Sequence, residues 1–480
     1  MFAKKQINDV YLLFRGPQRE AKEYFSAFVP TGLFNILFFL LKQGYNPKLF
    51  NLSTLSEKEV LAFIKSENIE IAFISTFMGN HNVSLNLAKE IKRWHKKAIT
   101  VLGGPFAILG EAILNKNSEI DFVILGEGEI SSLKLLKFLE EKEKLSNVKG
   151  LYYRKDGEIK FNKQDYHKDI DDFFYLPSQI KPYCHYVKSE NFAVLITSRG
   201  CPYRCSFCSS PVLWKNKIRL HSIDNLINYV KDLRKNIGEI YFSVRDDNFL
   251  MNKKRVLEFA VKLTQQNLGF LWNTQGSVTF LDDEIALSLA ESGCDQVQLG
   301  IESASKRLLE LFEKPIDIER SYKAIETLRK HLIRPFGYFI GGANETDAAV
   351  KETCLFIKKS GLIDGVLSPL VIYPGTKLSN NVKEKDFFSE KEIHYYSQNS
   401  YKKVKNRYLR ALEFAHHHNW FTQKEIDSSP VRGFLKEIVR CYSYLNSDDI
   451  TNAKKALFSI DSKNPWRKRL LKEIGNRGLG

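Results

Sequence analysis

Apolar segments typical of β-strands alternate with helical patterns along most of this 480-residue chain. Consecutive parallel strands need a crossover connection, usually a helix, so the alternation predicts parallel sheets covered by helices. The pattern occurs in two runs, which predict two α/β domains. The predicted strands are 10–14, 48–52, 69–76, 99–103 and 122–125 in the first run, and 192–197, 239–244, 270–274, 296–300, 336–341 and 365–372 in the second.

Three cysteines, Cys201, Cys205 and Cys208, follow the first strand of the second run. Thiolates are the usual ligands of iron–sulfur clusters, and three of them would leave the fourth iron of a cubane without a protein ligand. Such an open position suits a catalytic centre because it can bind a further molecule. Zinc sites favour paired two-residue spacings with a second pair or histidines downstream, and no such set follows here. The spacing therefore favours a cluster over a zinc site with a distant fourth ligand or three unrelated buried thiols.

The other four cysteines are scattered singly, and we interpret them as core residues or bystanders. The total of seven is odd and argues against the disulfide framework of a secreted protein. The first ten residues show no signal-peptide pattern, which favours a reducing cytoplasm. Residues 24–41 carry no charge, but their dense apolar part is too short to span a bilayer. We therefore expect a buried helix there and no transmembrane segment.

Basic residues exceed acidic residues by 16, and residues 401–480 contribute much of that excess. A basic segment can bind RNA, an anionic lipid surface or an acidic substrate. An ordinary solvated surface explains the same composition, and we favour that interpretation. Nucleic acid is therefore not the expected partner.

Small and polar residues follow the strands of the first run. Ligands of open parallel sheets bind at the carboxyl ends of the strands, and glycine there lets a bulky ligand approach the backbone. A tight turn also needs glycine, and for any single glycine that is the simpler explanation. The candidate binding residues are Ser75, Thr76, Gly103, Gly104, Gly126, Glu127 and Gly128.

The cysteine loop, with Phe207 before its last cysteine, resembles the signature of radical S-adenosylmethionine enzymes. The order of motifs at 30–33, 103–105 and 126–129 resembles the cobalamin-binding domain that precedes many cores of that family. The resemblance implies a 4Fe–4S cluster on the three cysteines, S-adenosylmethionine on its open iron and cobalamin on the first domain. In the family, an electron from the cluster breaks a C–S bond of S-adenosylmethionine and gives a 5′-deoxyadenosyl radical.

Two sequence features refine this resemblance. The Asp-x-His-x-x-Gly motif, which supplies an axial histidine to cobalt in the methionine synthase branch, is missing, and His81 is the nearest candidate. A degenerate domain that has lost cobalamin is therefore an alternative. No cysteine precedes Cys184, whereas the similar methylthiotransferases place three cysteines in the N-terminal domain. The chain lacks the ligands for that chemistry.

The resemblance also implies contacts to S-adenosylmethionine. Asp246 and Asp247 lie where the family contacts the methionyl amine, although such a pair could equally cap the next helix. Glu302 resembles the family residue that follows the fourth strand and accepts a hydrogen bond from the ribose or the amine of S-adenosylmethionine. The sequence after the fifth strand departs from the family's usual Gly-Leu-Pro-Gly-Glu-Thr, which affects the expected adenine contacts. The candidates near adenine are Phe207, Gly341 and Gly342.

Together these observations predict an α/β chain with three folded parts. Residues 1–150 form a doubly wound, Rossmann-like cobalamin-binding domain, 151–185 a linker, 186–380 a partial (β/α)6 TIM barrel, and 381–480 a basic, mostly helical region packed against the barrel mouth. The resemblance implies methyl transfer to an unactivated carbon of a small-molecule, lipid or peptide substrate, with a reducing partner such as flavodoxin or ferredoxin. The alternatives are a cyclisation, ring contraction or rearrangement in the same architecture, or a cobalamin-binding sensor or scaffold with an inactive cluster.

Overall fold

The computed structural model describes residues 7, 9–17, 28–341, 345–381, 421–431 and 434–477. These residues fall into two compact units. Those of the first unit lie within Met1–Phe192, Val212–Trp214 and Ile372–Ile393. Those of the second unit lie within Ala193–Pro211, Lys215–Val371 and His394–Gly480.

The described part of the first unit contains one sheet of eight strands. These are β1 (Val10–Phe14), β2 (Lys48–Asn51), β3 (Ile71–Ser75), β4 (Ile99–Gly103), β5 (Phe122–Ile124), β6 (Leu151–Lys155), β7 (Glu158–Phe161) and β8 (Cys184–His185). The helices are α1 (Thr31–Lys42), α2 (Glu57–Ser66), α3 (His81–Trp94), α4 (Gly110–Lys116), α5 (Gly128–Leu139) and α6 (Pro177–Ile180). The strand order is β7-β6-β5-β4-β3-β1-β2-β8, with β1 to β5 and β8 in parallel pairs. The order reverses between β1 and β3, which is where open α/β sheets bind ligands.

Helix α1 contains most of the uncharged segment that required a membrane check. Its apolar side chains Leu33, Phe34 and Leu37 are buried, and Phe39 packs edge-to-face on Phe173 with 5.1 Å between ring centroids. The prediction of a buried helix is therefore confirmed. None of the helices that the structure describes combines the length and the apolar character that a membrane crossing requires.

Residues 151–185, predicted to be a linker, contribute three strands to the first sheet. β6 pairs antiparallel with β5, β7 pairs antiparallel with β6, and β8 pairs with β2. Asp156 and Gly157 join β6 to β7 with φ of 53° and 81°. An Asp-Gly pair with positive φ is typical of a two-residue hairpin turn. Most side chains of this hairpin are at least partly exposed, so its apolar pattern is weak and did not predict strands.

The described part of the second unit contains the barrel strands and a short ribbon. The strands are β9 (Val194–Leu195), β10 (Ser198–Arg199), β11 (Arg219–Leu220), β12 (Tyr241–Val244), β13 (Leu271–Gly276), β14 (Cys294–Glu302), β15 (Arg334–Gly341) and β16 (Asp364–Pro369). The helices along this part of the chain are α7 (Ser210–Trp214), α8 (Ile223–Asp232), α9 (Lys253–Gln266), α10 (Asp283–Glu291), α11 (Lys306–Leu311), α12 (Ile318–Lys330) and α13 (Asp347–Lys359). β9, β12, β13, β14, β15 and β16 pair in parallel in that order, which confirms the predicted six-stranded partial barrel.

One face of the barrel sheet packs on helices through aromatic side chains. Trp272 is fully buried, stacks on Phe242 at 5.7 Å and meets Phe259 of α9 edge-on at 5.5 Å. The indole nitrogen donates to the carbonyl of Ser292 at 3.0 Å, so its one polar group is satisfied. Because side chains alternate along a strand, the residues next to Phe242 and Trp272 point to the inside of the barrel.

The C-terminal region is helical where the structure describes it, as predicted. Its helices are Gln423–Ser428, Phe434–Asn446, Ile450–Phe458 and Pro465–Arg477. Ser429 donates to the carbonyl of Lys330 at 2.9 Å, and Glu425 pairs with Arg329. Both partners lie at the end of α12, just before β15 begins. These helices therefore pack at the amino ends of the barrel strands, and the expected position at the barrel mouth is wrong for the described part, because helical periodicity does not indicate which end of a sheet a helix covers.

Candidate functional site

The cysteine loop leaves the barrel sheet after β9, and a short ribbon fixes its start. β10 and β11 pair antiparallel, with Arg199 opposite Arg219. Gly200, directly before Cys201, has φ of 99°, and a Cβ at this position would overlap the carbonyl oxygen of Lys217. Glycine meets both requirements, so the ribbon determines where the first cysteine lies.

Hydrogen bonds to the end of α11 hold the middle of the loop. The backbone nitrogen of Ser206 donates to the carbonyl of Phe312 at 2.9 Å, and its hydroxyl donates to the carbonyl of Leu311 at 2.8 Å. Phe207 packs edge-to-face on Phe312, with 5.3 Å between centroids. A turn bond from the nitrogen of Cys208 to the carbonyl of Cys205 closes the loop at 3.1 Å. The cysteines therefore lie on a held turn.

Burial disfavours the thiolate form of all three loop cysteines. Cys205 is buried and the other two are half-buried, and burial is the main cause that raises the pKa of all three, that of Cys208 to about 12. Asp247 raises the pKa of Cys201 and Cys208 further, whereas Lys314 lowers the pKa of Cys201 and Cys205. Binding of iron must therefore release protons from this loop.

The residue types of this loop fit a 4Fe–4S cluster. Among the described residues, no three His, Cys, Asp or Glu side chains converge as ligands of a single metal ion would. A cubane does not need that convergence, because its three thiolates bind three different irons. The thiols still lie close enough that Cys201 raises the pKa of both Cys205 and Cys208.

Asp246, just after β12, binds Thr197 and Ser198, the residues that lead into the cysteine loop. Its buried carboxylate accepts from the backbone nitrogens of Thr197 and Ser198, at 2.6 and 3.2 Å, and from both of their hydroxyls. Burial raises its pKa, although these four hydrogen bonds act in the other direction. A carboxylate has about four acceptor positions, so the protein already uses all of them. The predicted contact of Asp246 with a methionyl amine would have to displace one of these donors.

Asp247 points to the cysteine loop and is exposed. Its carboxylate accepts from the hydroxyl of Ser210 at 2.7 Å and acts electrostatically on Cys201 and Cys208. The predicted pair of aspartates is thus split into a buried residue that holds the loop and an exposed residue beside the thiols. Of the two, Asp247 is free to meet a cationic group.

Glu302 and Lys314 form a buried ion pair beside the same loop. Their Oε1 and Nζ atoms are 3.0 Å apart, and Lys314 acts electrostatically on Cys205 and Cys201. Burial alone would lower the pKa of Lys314, but Glu302 and Cys205 outweigh it and hold the pKa above its ordinary value. Glu302 has φ of 63°, an uncommon conformation for a residue other than glycine, at a register shift of β14. The prediction did not include Lys314, and no motif in the sequence would have identified it.

The end of β15 is described as far as Gly341. That residue is buried, and a Cβ there would come within 3.1 Å of the Leu367 side chain. Packing against β16 therefore explains a glycine at position 341 as well as the approach of a ligand would. Gly342, the other predicted adenine contact, lies outside the described residues.

In the first unit, a Cβ would meet neighbouring protein atoms at three of the strand-end glycines. A Cβ on Gly104 would overlap the backbone oxygen of Thr76, one on Gly126 would overlap Gln164, and one on Gly128 would overlap Ile36. Thr76 is fully buried, and its backbone nitrogen donates to the carbonyl of Gly103 at 2.8 Å. For Gly104 the obstacle is backbone, so tight packing is a sufficient explanation, whereas at Gly126 and Gly128 it is a flexible side chain.

Gly103 differs from those glycines because its surroundings are open. Among the described residues, a Cβ there would meet nothing closer than the carbonyl oxygen of Ile124 at 3.8 Å. Ser75 ends the neighbouring strand in register with Gly103, and the half-buried Glu127 follows β5. The carboxyl ends of β3 and β4 therefore have room for a group close to the backbone, which fits a bulky ligand such as cobalamin.

The structure buries His81, the nearest candidate for an axial ligand of cobalt. It begins α3, is buried and stacks on Phe106 with 4.7 Å between centroids. Its Nδ1 lies 2.6 Å from the carbonyl oxygen of Met78, so Nδ1 carries the proton and donates. Its Nε2 is buried and without a hydrogen-bond partner among the described residues. A ligand of cobalt would need an accessible Nε2.

Comparison with known proteins identifies both parts of the chain. Residues 195–357 match the Radical SAM superfamily, and residues 24–136 match the B12 binding domain. An uncharacterized methyltransferase of Pyrococcus horikoshii is 30% identical over 329 residues, which are 68% of this chain and 72% of that protein. This chain belongs to the cobalamin-binding radical S-adenosylmethionine enzymes. The family uses a 4Fe–4S cluster, S-adenosylmethionine and cobalamin, as the resemblance implied.

Two further similarities place this radical S-adenosylmethionine enzyme among relatives of the same architecture. The cytidylyl-2-hydroxyethylphosphonate methyltransferase of Streptomyces wedmorensis is 24% identical and matches 76% of this chain and 80% of its own length. The fold resembles that of the radical S-adenosylmethionine methyltransferase TsrM from Kitasatospora setae, with a TM-score of 0.69 at 15% identity. That similarity covers 86% of this chain and 90% of TsrM.

Proposed function

We propose that this enzyme transfers a methyl group to an unactivated carbon. The observation that carries the proposal is the held cysteine loop on a barrel core that follows a cobalamin-type domain in one chain. The similar proteins of Pyrococcus horikoshii and Streptomyces wedmorensis are both named methyltransferases, and so is the structural relative TsrM. These names support methyl transfer, whereas other relatives, among them one of Rubrivivax gelatinosus, are named cyclases, so cyclisation is the second candidate.

The residues of the second unit have separable roles in this proposal. Cys201, Cys205 and Cys208 hold the cluster, and Asp246 keeps the approach to their loop in place through Thr197 and Ser198. The exposed Asp247 meets the cationic amine of S-adenosylmethionine. When bound, the cluster with S-adenosylmethionine supplies a radical that removes a hydrogen atom, and cobalamin supplies the methyl group.

The ion pair of Glu302 and Lys314 places both charges next to the cluster ligands. Lys314 offsets the negative charge of the thiolates, and Glu302 keeps Lys314 in position. In the first unit, Ser75, Gly103 and Glu127 lie at the strand ends that we assign to cobalamin. The chemistry needs an electron donor of low potential, so we propose flavodoxin or ferredoxin as the partner and a reducing cytoplasm as the compartment.

The test is anaerobic reconstitution followed by mass analysis with methyl-labelled S-adenosylmethionine. Lipid, peptide and tetrapyrrole extracts are offered as substrates. We expect the label in a product, and this should be lost in Cys205→Ala but kept in Cys184→Ala, whose cysteine lies outside the loop. Deoxyadenosine without a labelled product would instead support another radical reaction, and the absence of both would contradict the proposal and leave the sensor or scaffold alternative.

A further inference from the structure

The inside of the barrel carries a connected group of polar side chains. The amide of Gln298 donates to Gln296 at 2.9 Å, and the Tyr338 hydroxyl donates to the side-chain oxygen of Gln298 at 2.6 Å. Parallel sheets are usually covered by apolar residues on both faces. This face is polar instead, which is typical of a surface that binds a polar ligand.

Arg245 lies in this group at the carboxyl end of β12, directly before Asp246. Its Nη1 donates to the side-chain oxygens of Gln275, at 3.4 Å, and of Gln298. Both glutamines are themselves held, since Gln275 donates to the carbonyl of Asp246 at 2.8 Å and Gln298 is bonded to its neighbours. The guanidinium is therefore fixed by neutral partners.

No carboxylate in the described part of the chain pairs with Arg245. Arg334 on the same face provides the contrast, because its Nη2 lies 2.7 Å from a carboxylate oxygen of Asp295. Tyr241 also donates to Asp295, at 2.9 Å, so the charges at the other end of the strands are matched within the protein. Of Arg245 and Arg334, only Arg334 has a carboxylate partner among the described residues.

An arginine in this state favours an anionic ligand. Arginine stays charged and offers five N–H donors in a planar fork, of which Nη1 is used here, so Nη2 and Nε remain for a ligand. This fork matches the two oxygens of a carboxylate or a phosphoryl group. The half-buried position strengthens such a bond relative to bulk water.

We infer that Arg245 binds an acidic group, a carboxylate or a phosphoryl oxyanion, of the methyl-accepting substrate. The inference rests on the proposed function and narrows its substrate class to anions. Active sites of barrels lie at the carboxyl ends of their strands, where Arg245 and the cysteine loop are neighbours in the second unit. Arg245 would position the substrate and takes no part in proton transfer, because its guanidinium does not lose a proton.

The experiment measures anion binding to the reconstituted full chain by calorimetry. Inorganic phosphate and acetate are the probes, glycerol is the neutral comparison, and S-adenosylmethionine is present at saturation so that its own carboxylate site is filled. Arg245→Gln should lower the affinity for phosphate and for acetate by at least about tenfold, since hydrogen bonds to charged groups are among the stronger ones. Arg245→Lys should lose less because it keeps the charge, and it covers the case in which the glutamine variant does not fold.

Arg320→Gln is the matched control, since Arg320 is exposed on α12 and its removal changes the net charge equally. Its anion binding should equal that of the wild type. Equal binding by wild type and Arg245→Gln, or no binding of either probe by the wild type, would overturn the inference. Loss of S-adenosylmethionine affinity in Arg245→Gln with unchanged probe binding would also overturn it, because the guanidinium would then serve the S-adenosylmethionine carboxylate.

Reductive cleavage of S-adenosylmethionine, followed in the same preparations, separates this inference from the proposed function. A wild-type protein that binds the probes through Arg245 but never forms deoxyadenosine counts against the proposed function alone. If the wild type methylates a substrate and Arg245→Gln binds the anions as tightly as the wild type does, the inference alone is wrong.

Discussion

The ion pair between Glu302 and Lys314 shows how much of the site depends on single residues. Both side chains are about nine-tenths buried, with 9% and 11% exposure. Gly300 provides the space, since a Cβ there would lie 2.7 Å from Oε1 of Glu302 and 2.8 Å from Nζ of Lys314. Removing one member of a buried pair leaves the other charge unpaired, which costs far more than the pair itself contributes.

Replacement of Lys314 tests this argument. We expect Lys314→Gln to lower the free energy of unfolding by about 3 kcal/mol, because Glu302 stays buried without a partner. Urea denaturation of the iron-free protein measures the change. Lys330→Gln is the control, since its pair with Asp283 is more than half exposed and should contribute less than about 1 kcal/mol. Equal losses in the two variants would show that the Glu302–Lys314 pair is solvated.

At this scale, sequence patterns identified residues that lie at strand ends and missed those placed by helices. Asp247 follows a strand and Glu302 ends one, so the family resemblance could assign both to S-adenosylmethionine from their positions. Lys314 comes after α11, and its approach to the thiols depends on how that helix ends. The burial of Asp246 and His81 depends on neighbours distant in sequence, so spacing could not distinguish a ligand contact from an internal hydrogen bond.

At the scale of elements, the ends of β3 and β4 combine two kinds of glycine. Gly104 has φ of 91°, and its Cα faces the backbone of Thr76, so packing within the sheet requires it. Gly103 has open space instead, and no described residue requires a glycine there. Only the second kind indicates a ligand.

Two alanine variants separate these explanations. Gly104→Ala should cost about 1–3 kcal/mol of unfolding free energy from its backbone conformation alone. Gly103→Ala should change stability by less than about 0.5 kcal/mol, as surface substitutions usually do. It should nevertheless reduce the cobalamin retained after gel filtration, measured by absorbance of the extracted cofactor. Full retention in Gly103→Ala would mean that the cofactor does not approach this strand end.

Element types were predictable where burial gives a regular apolar pattern. β1 and β4 agree with their predicted bounds, and all six barrel strands are present. The hairpin of β6 and β7 was missed because its side chains are mostly exposed, so hydrophobicity does not alternate clearly. The Asp-Gly turn between them was the available signal, and local turn chemistry would have indicated strands instead of a linker.

At the scale of the whole molecule, the described residues of the two units have separate sheets and separate cores. Each contains its own sheet and its own buried aromatic residues, represented by Phe34 and Phe173 in the first unit and by Trp272 in the second. The candidate cobalamin residues belong to the first unit and the cluster cysteines to the second. The two cofactors therefore depend on different sets of packing interactions.

This separation predicts that one cofactor can be removed without the other. Replacing Cys201, Cys205 and Cys208 together with alanine should abolish iron binding, because thiolates supply the protein ligation of the cluster. The same variant should keep its cobalamin, since none of the three cysteines lies in the first unit. Iron is measured chemically and cobalamin by mass spectrometry of the extract, with Cys184→Ala as the control that keeps both. A triple variant with its full iron content would disprove the ligand assignment, and one that loses cobalamin as well would show that the first unit depends on the cluster loop for its fold.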